Sequence, residues 1–191
     1  MIRINGVGVS GGTAIGKIAF LKKAEIKIEK ATVRDTAAEI ERYKNATVAA
    51  KSQLDDLYKT ALEKSGAETA EIFEIHRMML DDRDYTEEIE KEITDGGRSA
   101  EWAVSEVSKR LAKSFSEMDS EYMRGRAADI KDISERLISI LSNGGREGAD
   151  LPSDGMYIIC ADELAPSETV RLDREHTAAF ATRFGSAQSH T

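Results

Sequence analysis

The spacing of apolar and polar positions changes period twice along this chain. Through about residue 30 the apolar residues are mostly β-branched and mixed with glycine. Residues 14–21 read as a short strand, and residues 24–29 alternate apolar with charged side chains, as a half-buried strand does. From about residue 34 the period becomes helical. Ile40, Tyr43, Thr47, Ala50, Leu54, Leu57 and Ala61 recur at steps of three and four, which gathers them on one stripe of a long helix. Thr36 and Glu39 have the spacing of a capping box at its start, and Ser65-Gly66 ends it. Ile72, Phe73, His76, Met79 and Leu80 mark a second helix, and Tyr85, Ile89 and Ile93 a third segment, stopped by Gly96-Gly97. Ser99 can cap the next helix, whose apolar face is Ala103, Val104, Val107, Leu111 and Phe115. The last helix begins near Asp119, carries Ile130, Ile133, Leu137, Ile138 and Leu141, and ends at Asn143-Gly144-Gly145. After residue 150 the strand signal returns, at 155–160 and again at 178–182. Both prolines, Pro152 and Pro166, fall outside the helical block, as unbroken helices require.

This order predicts a mainly α, α+β protein. A bundle of about four helices, residues 31–145, is inserted into a discontinuous α/β domain made of residues 1–30 and 146–191. The 191 residues are 40% hydrophobic and 32% charged, a soluble balance with enough chain for a real core. The net charge of −8 argues against nucleic acid, whose phosphates call for Lys and Arg, and favours a basic protein partner. No apolar run reaches membrane-spanning length and the start is no signal peptide, so a cytoplasmic protein is expected. Cys160 is the single cysteine; in its apolar setting it reads as a small buried hydrophobe.

Two glycine-rich segments invite chemistry. Gly6-Val7-Gly8-Val9-Ser10-Gly11 matches a dinucleotide-binding pattern in letters only, because the residues after it read as turn and strand where that site needs a helix N-terminus. The second segment is Phe184-Gly185-Ser186-Ala187-Gln188-Ser189-His190-Thr191. A histidine that carries phosphate must be accessible, neutral when it attacks, and surrounded by donors. Ser189, Thr191 and the backbone amides of Gly185 and Ser186 can supply them. Alone, such a histidine is an ordinary surface residue. Two other segments change its meaning: Asp162-Glu163-Leu164-Ala165-Pro166-Ser167-Glu168-Thr169, and Ser120-Glu121-Tyr122-Met123-Arg124-Gly125-Arg126-Ala127-Ala128-Asp129-Ile130-Lys131-Asp132-Ile133 on the last helix.

Together with Ser189-His190-Thr191 and the Ile72-Phe73-Glu74-x-His76-x-Met78 helix, these segments resemble enzyme I of the bacterial sugar phosphotransferase system across essentially the whole chain. The resemblance implies that phosphoenolpyruvate phosphorylates His190 on Nε2, that a small histidine-containing phosphocarrier protein receives the phosphoryl group, and that the Thr169 hydroxyl meets the resting histidine. It places the carrier on the helical bundle, with Glu68, Phe73, His76, Met78, Met79, Leu80 and Arg126 as docking residues by motif position. Asp81, Asp82, Asp84, Glu87 and Glu88 would give that surface an acidic surround. From periodicity alone, Phe73, Met79 and Leu80 fit bundle core equally well, and Arg126 fits an ion pair with Glu121 or Asp129. His176 matches nothing functional. Ser186 stands where relatives commonly have a second glycine.

The resemblance further implies a barrel domain after the histidine that binds phosphoenolpyruvate and Mg²⁺ and forms the main contact of a homodimer. This chain contains none of it, so the α/β domain is expected to be truncated, with no metal site, and the fragment monomeric and unable to charge itself from phosphoenolpyruvate. The alternatives are a docking-only module for the carrier, or the enzyme I-like part of a dihydroxyacetone kinase multiphosphoryl subunit. The helical insert sets the chain apart from pyruvate phosphate dikinase-like relatives.

Overall fold

A computed structural model describes residues 4–21, 26–143, 155–173 and 175–184. The chain divides into two compact units. One combines Met1–Lys23 with Ala149–Thr191; the other is Ala24–Gly148.

The described residues of the second unit form five helices: α1 (Thr36–Ser65), α2 (Ala67–Met79), α3 (Arg83–Thr94), α4 (Ala100–Ser116) and α5 (Glu121–Asn143). Its core follows most of the stripe that the spacing predicts, while Ile40, Thr47, Met79, Leu111, Phe115 and Leu141 are only half-buried. Tyr43, Ala50, Leu54, Leu57 and Ala61 of α1 are buried, as are Tyr85, Ile89 and Ile93 of α3, Ala103, Val104 and Val107 of α4, and Ile130, Ile133, Leu137 and Ile138 of α5. Each fully buried Leu or Ile contributes roughly 1.5–3 kcal/mol, so this stripe holds the bundle together. The α4–α5 and α1–α2 pairs are packed most extensively.

Helix ends follow local chemistry. α1 and α2 meet at Gly66, whose φ of 88° suits a residue without Cβ. Ser99 caps α4 by accepting the Trp102 N–H at 3.4 Å. The start of α1 departs from the expected capping box. Asp35, one residue earlier, is the N-cap and accepts the Ala38 N–H at 3.0 Å. Glu39 is thereby released. Its buried carboxylate accepts the Ala100 N–H at 2.6 Å and pairs with Arg42 at 2.5 Å, while Arg42 also reaches Glu101 and the Leu141 carbonyl. One charged cluster therefore joins α1 to the start of α4 and the end of α5.

The strand expected at 24–29 does not form in the described part, residues 26–29. Ile26 and Ile28 are half-buried and Lys27 and Glu29 exposed, so the alternation is real, but among the described residues no neighbouring strand provides a ladder. Instead, the segment just after it is laid on the α3–α4 turn. Val33 N–H donates to the Gly97 carbonyl at 2.9 Å, Ser99 N–H to the Ala31 carbonyl at 3.2 Å, and Lys30 stacks over Trp102.

The first unit is built on a parallel sheet of β1 (Lys17–Phe20), β2 (Tyr157–Ala161) and β3 (Thr177–Thr182), in that spatial order. A short helix, α6 (Pro166–Arg171), connects β2 to β3. The sheet core is Tyr157, Ile159 and Leu172, with Ala19 and Leu21 packed against it. The other face carries Ile18 and Phe20, both exposed, beside half-buried Ile158 and Cys160. Cys160 is thus only half-buried, because alternation turns it away from the Tyr157–Ile159 face. A strand rather than a helix follows the N-terminal glycines, as the rejection of a dinucleotide site requires. A Cβ on Gly16 would meet the Met156 carbonyl oxygen at 2.8 Å, so glycine there permits the close approach of β1 to β2.

Candidate functional site

Thr169 lies on α6, at the carboxyl end of the sheet, where open parallel sheets commonly place ligands. Pro166 occupies the first turn of that helix, where its missing N–H costs nothing, and Glu168 turns back to accept the Ala165 N–H at 2.7 Å. The half-buried Thr169 hydroxyl donates to the Pro166 carbonyl at 2.9 Å. Its hydrogen is committed to the helix, so its lone pairs are what it can offer a neighbour.

The ladder between β2 and β3 continues past the end of β3. Arg183 N–H donates to the Ala161 carbonyl at 3.1 Å, and Phe184 N–H to the Asp162 carbonyl at 2.8 Å. The backbone that leads into the Gly185 segment is therefore fixed beside Asp162, the first residue of the segment that leads to Thr169. His190, with Gly185, Ser186, Ser189 and Thr191, lies outside the described residues. His176 is held locally: its Nδ1 is 2.7 Å from Asp173 Oδ2, and its carbonyl accepts the Tyr157 N–H.

The docking residues expected on the bundle separate into two sets. Glu68 is exposed in the first turn of α2, Met78 is 66% exposed, and Met79 is half-buried. Phe73 and His76 are completely buried, and Leu80, at the end of α2, nearly so. These three have no surface to offer a partner in this conformation. The correction has a simple cause: positions 73, 76 and 80 recur at helical steps on the face of α2 that packs inward, whereas 78 points out. Phe73 meets the His76 ring edge-on at 6.3 Å.

His76 faces two carboxylates of α5. Its Nε2 is 3.2 Å from Asp129 Oδ1 and its Nδ1 is 3.5 Å from Asp132 Oδ2. Arg126, mostly covered, pairs with the other Asp129 oxygen at 3.3 Å, one of the two partners that helical spacing allows. Its guanidinium lies over the Tyr122 ring at 4.8 Å and donates to the Tyr122 hydroxyl. Sequence reasoning passed over Tyr122, Asp129 and Asp132 as site residues. Their recurrence on one face of α5, with Arg126 between them, was the available signal.

The acidic surround is partly neutralised within the fold. Asp81 pairs with Lys51, Glu87 with Arg83 at 2.5 Å, and Glu88 with Arg110 at 2.7 Å. Asp82 caps α3 by accepting the Asp84 and Tyr85 N–H groups. Such exposed pairs are worth little and exchange partners readily. Among the described residues no group of three or more His, Cys, Asp and Glu could hold a metal ion. Among the described residues, no helix is long and apolar enough to cross a membrane.

Residues 5–126 match the family model "PEP-utilising enzyme, N-terminal". A phosphoenolpyruvate-protein phosphotransferase of Bacillus subtilis is 33% identical over all of this chain and 33% of its own length. One from Geobacillus stearothermophilus is 37% identical over 98% of this chain and 32% of its own. The chain thus spans about a third of the length of these relatives. Among solved structures, the "NMR solution structure of Enzyme I (nEIt) protein" superposes with a TM-score of 0.74 at 29% identity, covering 95% of this chain and 74% of that one. The "N-terminal domain of Enzyme 1 - Nitrogen" gives 0.65 at 27%, with the same coverage. A helical bundle joined to a small parallel sheet, found again in these structures and matched in sequence along its full length, shows that the chain belongs to the family of PEP-utilising enzymes as a counterpart of their N-terminal part.

Proposed function

We propose that this chain is the phosphohistidine-bearing and carrier-docking part of a phosphoenolpyruvate–protein phosphotransferase of the bacterial sugar phosphotransferase system. The observation that supports it most is the Phe184 N–H bond to the Asp162 carbonyl. It holds Phe184, the residue before Gly185, beside Asp162, the first residue of the segment that leads to Thr169.

The reaction needs little more than positioning and charge stabilisation. A neutral His190 Nε2 attacks the phosphorus of phosphoenolpyruvate; the P–O bond breaks, and its electron pair leaves with enolpyruvate, which takes up a proton to become pyruvate. A histidine nitrogen of the carrier then attacks phospho-His190. The N–P bond breaks as the new one forms, and its electron pair returns to the imidazole. An imidazole has an ordinary pKa near 6.5, so it can attack when neutral and leave when its other nitrogen is protonated (about neutral pH). With its hydrogen committed to Pro166, the Thr169 hydroxyl would accept from a ring N–H of the resting histidine and so fix its tautomer and orientation. Ser189, Thr191 and the amides of Gly185 and Ser186 would donate to the phosphoryl oxygens. Glu68, Met78, Met79 and Arg126 would form the docking surface. Met78 offers an adaptable apolar contact, and the acidic surround draws a basic partner.

On this proposal the phosphoenolpyruvate site, Mg²⁺ and the main dimer contact belong to the further length of the relatives. The whole protein would act in the cytoplasm, and these 191 residues by themselves would be monomeric. Intact mass spectrometry tests the assignment. Phosphorylated carrier should raise the mass by about 80 Da, one phosphoryl group, and His190→Ala should abolish the gain. Phosphoenolpyruvate with Mg²⁺ alone should give none. Carrier binding without any mass gain would support the docking-only alternative.

A further inference from the structure

Arg126 is the one cationic side chain of the proposed docking surface, and it does not stand freely in solvent. Its guanidinium is sandwiched between the Tyr122 ring, at 4.8 Å, and Asp129 Oδ2, at 3.3 Å. The guanidinium also donates to the Tyr122 hydroxyl, so that carboxylate and Tyr122, both on α5, set where it points, and turning the carboxylate would release one of its two polar holds. A carboxylate held by one oxygen can turn about its own axis; held by both, it cannot. The second hold on Asp129 is His76 Nε2, 3.2 Å from Oδ1.

His76 itself has no exposed surface. It sits at the end of α2 with Phe73 edge-on to its ring, and its Nδ1 stands 3.5 Å from Asp132 Oδ2, an ion-pair distance rather than a formed hydrogen bond. The groups that face it are thus an aromatic edge from its own helix and two carboxylates from α5. Burying a polar ring costs free energy unless its bonds are made, and mere filling of this position would be served as well by an apolar side chain. The chain from His76 to Asp129 to Arg126 to Tyr122 leads from the centre of the bundle to its surface, crossing from α2 to α5 at a single hydrogen bond.

We infer that His76 is a positioning residue: through Asp129 it sets the orientation of Arg126, and it touches no partner itself. The consequence for carrier affinity rests on the docking function proposed above; the positioning of Arg126 does not. Two measurements on this chain separate them. The first is the Nε–Hε resonance of Arg126 in ¹⁵N-resolved NMR spectra without any partner. It should be a distinct, slowly exchanging signal that His76→Gln moves to the position of the exposed arginines. His76→Leu, which fills the position without a hydrogen bond to Asp129, should do the same and decides the matter if His76→Gln does not fold. An Arg126 signal unchanged in a folded variant of either kind would overturn the inference.

The second measurement is a double-mutant cycle on binding of the histidine phosphocarrier. His76→Gln should weaken binding about tenfold, the scale of one charge-assisted contact. It should cause no further loss in an Arg126→Gln background, because both changes remove the same contact. Losses that add in full would mean that His76 acts elsewhere, and would overturn the inference. Failure of the unaltered chain to bind the carrier would count against the docking function alone, since the arginine signal still reports on positioning.

Discussion

Tyr43 and Tyr85 are the most deeply buried phenols among the described residues, and burial governs their chemistry. For Tyr43, burial pushes the pKa from the usual 10.0 to about 12; the Thr47 hydroxyl opposes the change and the charge of Glu90 adds to it. Tyr85 is raised further by burial, against the opposing effect of its hydrogen bond to Ser134. In the unfolded chain both would lose their protons near pH 10. Between that pH and the folded values the native state holds more protons than the unfolded one, so stability must fall as pH rises. The contribution is complete below about pH 10 and is lost as the pH climbs through about 12 for Tyr43. Denaturant titrations should show a loss of about 3 kcal/mol from Tyr43 alone over that interval, at about 1.4 kcal/mol per pKa unit. Tyr43→Phe should flatten the decline. A slope unchanged in that variant would show that the phenol is not responsible.

At the scale of elements, Asp82 does a different job from the one its charge suggests. In sequence it belongs to an acidic run beside the docking helix; in the fold it accepts the Asp84 N–H at 2.9 Å and the Tyr85 N–H at 3.2 Å and starts α3. Asp82→Ala should cost about 1 kcal/mol, as loss of an N-cap does, with faster hydrogen exchange at Asp84 and Tyr85 and little change in α5. The helices were legible because a three-and-four stripe leaves few other solutions: Leu54, Leu57 and Ala61 are buried where the spacing puts them. What failed was local and short. Ile26 and Ile28 alternate like a strand, but alternation cannot say whether a neighbouring strand exists. Thr36 and Glu39 match a capping box, yet Asp35 is an equally good cap one residue earlier, and the distant Ala100 N–H then competes for Glu39. A motif read within four residues cannot foresee a partner on another helix. Burial of His76 was hidden for the same reason, since its carboxylate partners are on α5.

For the molecule as a whole, the proposed tasks fall in different units: Thr169 and the Phe184 anchor in the sheet unit, Arg126 and Met78 in the helical one. Thr169→Val should therefore slow phosphoryl transfer between His190 and the carrier by about tenfold, the scale of one lost hydrogen bond, while leaving carrier affinity unchanged. Stopped-flow transfer rates set beside calorimetric affinities would check this; a parallel loss in both would tie Thr169 to docking instead. His190 itself was legible only from the company it keeps in sequence, since a histidine between hydroxyl residues has no geometry of its own. The pairing of β1 with β2 carries a last consequence, for the order of events during synthesis. Lys17–Phe20 leaves the ribosome early, but its hydrogen-bonding partner, Tyr157–Ala161, follows only after the whole helical unit. The two most extensive helix pairs of the bundle, α1–α2 and α4–α5, are neighbours in sequence, and the whole bundle is made before Tyr157–Ala161, so it can close while the rest is still being translated. Lys17–Phe20 must wait unpaired, with Ala19 and Leu21 still uncovered, which makes the small sheet the slow step of maturation and its first strand the segment most in need of a chaperone's protection.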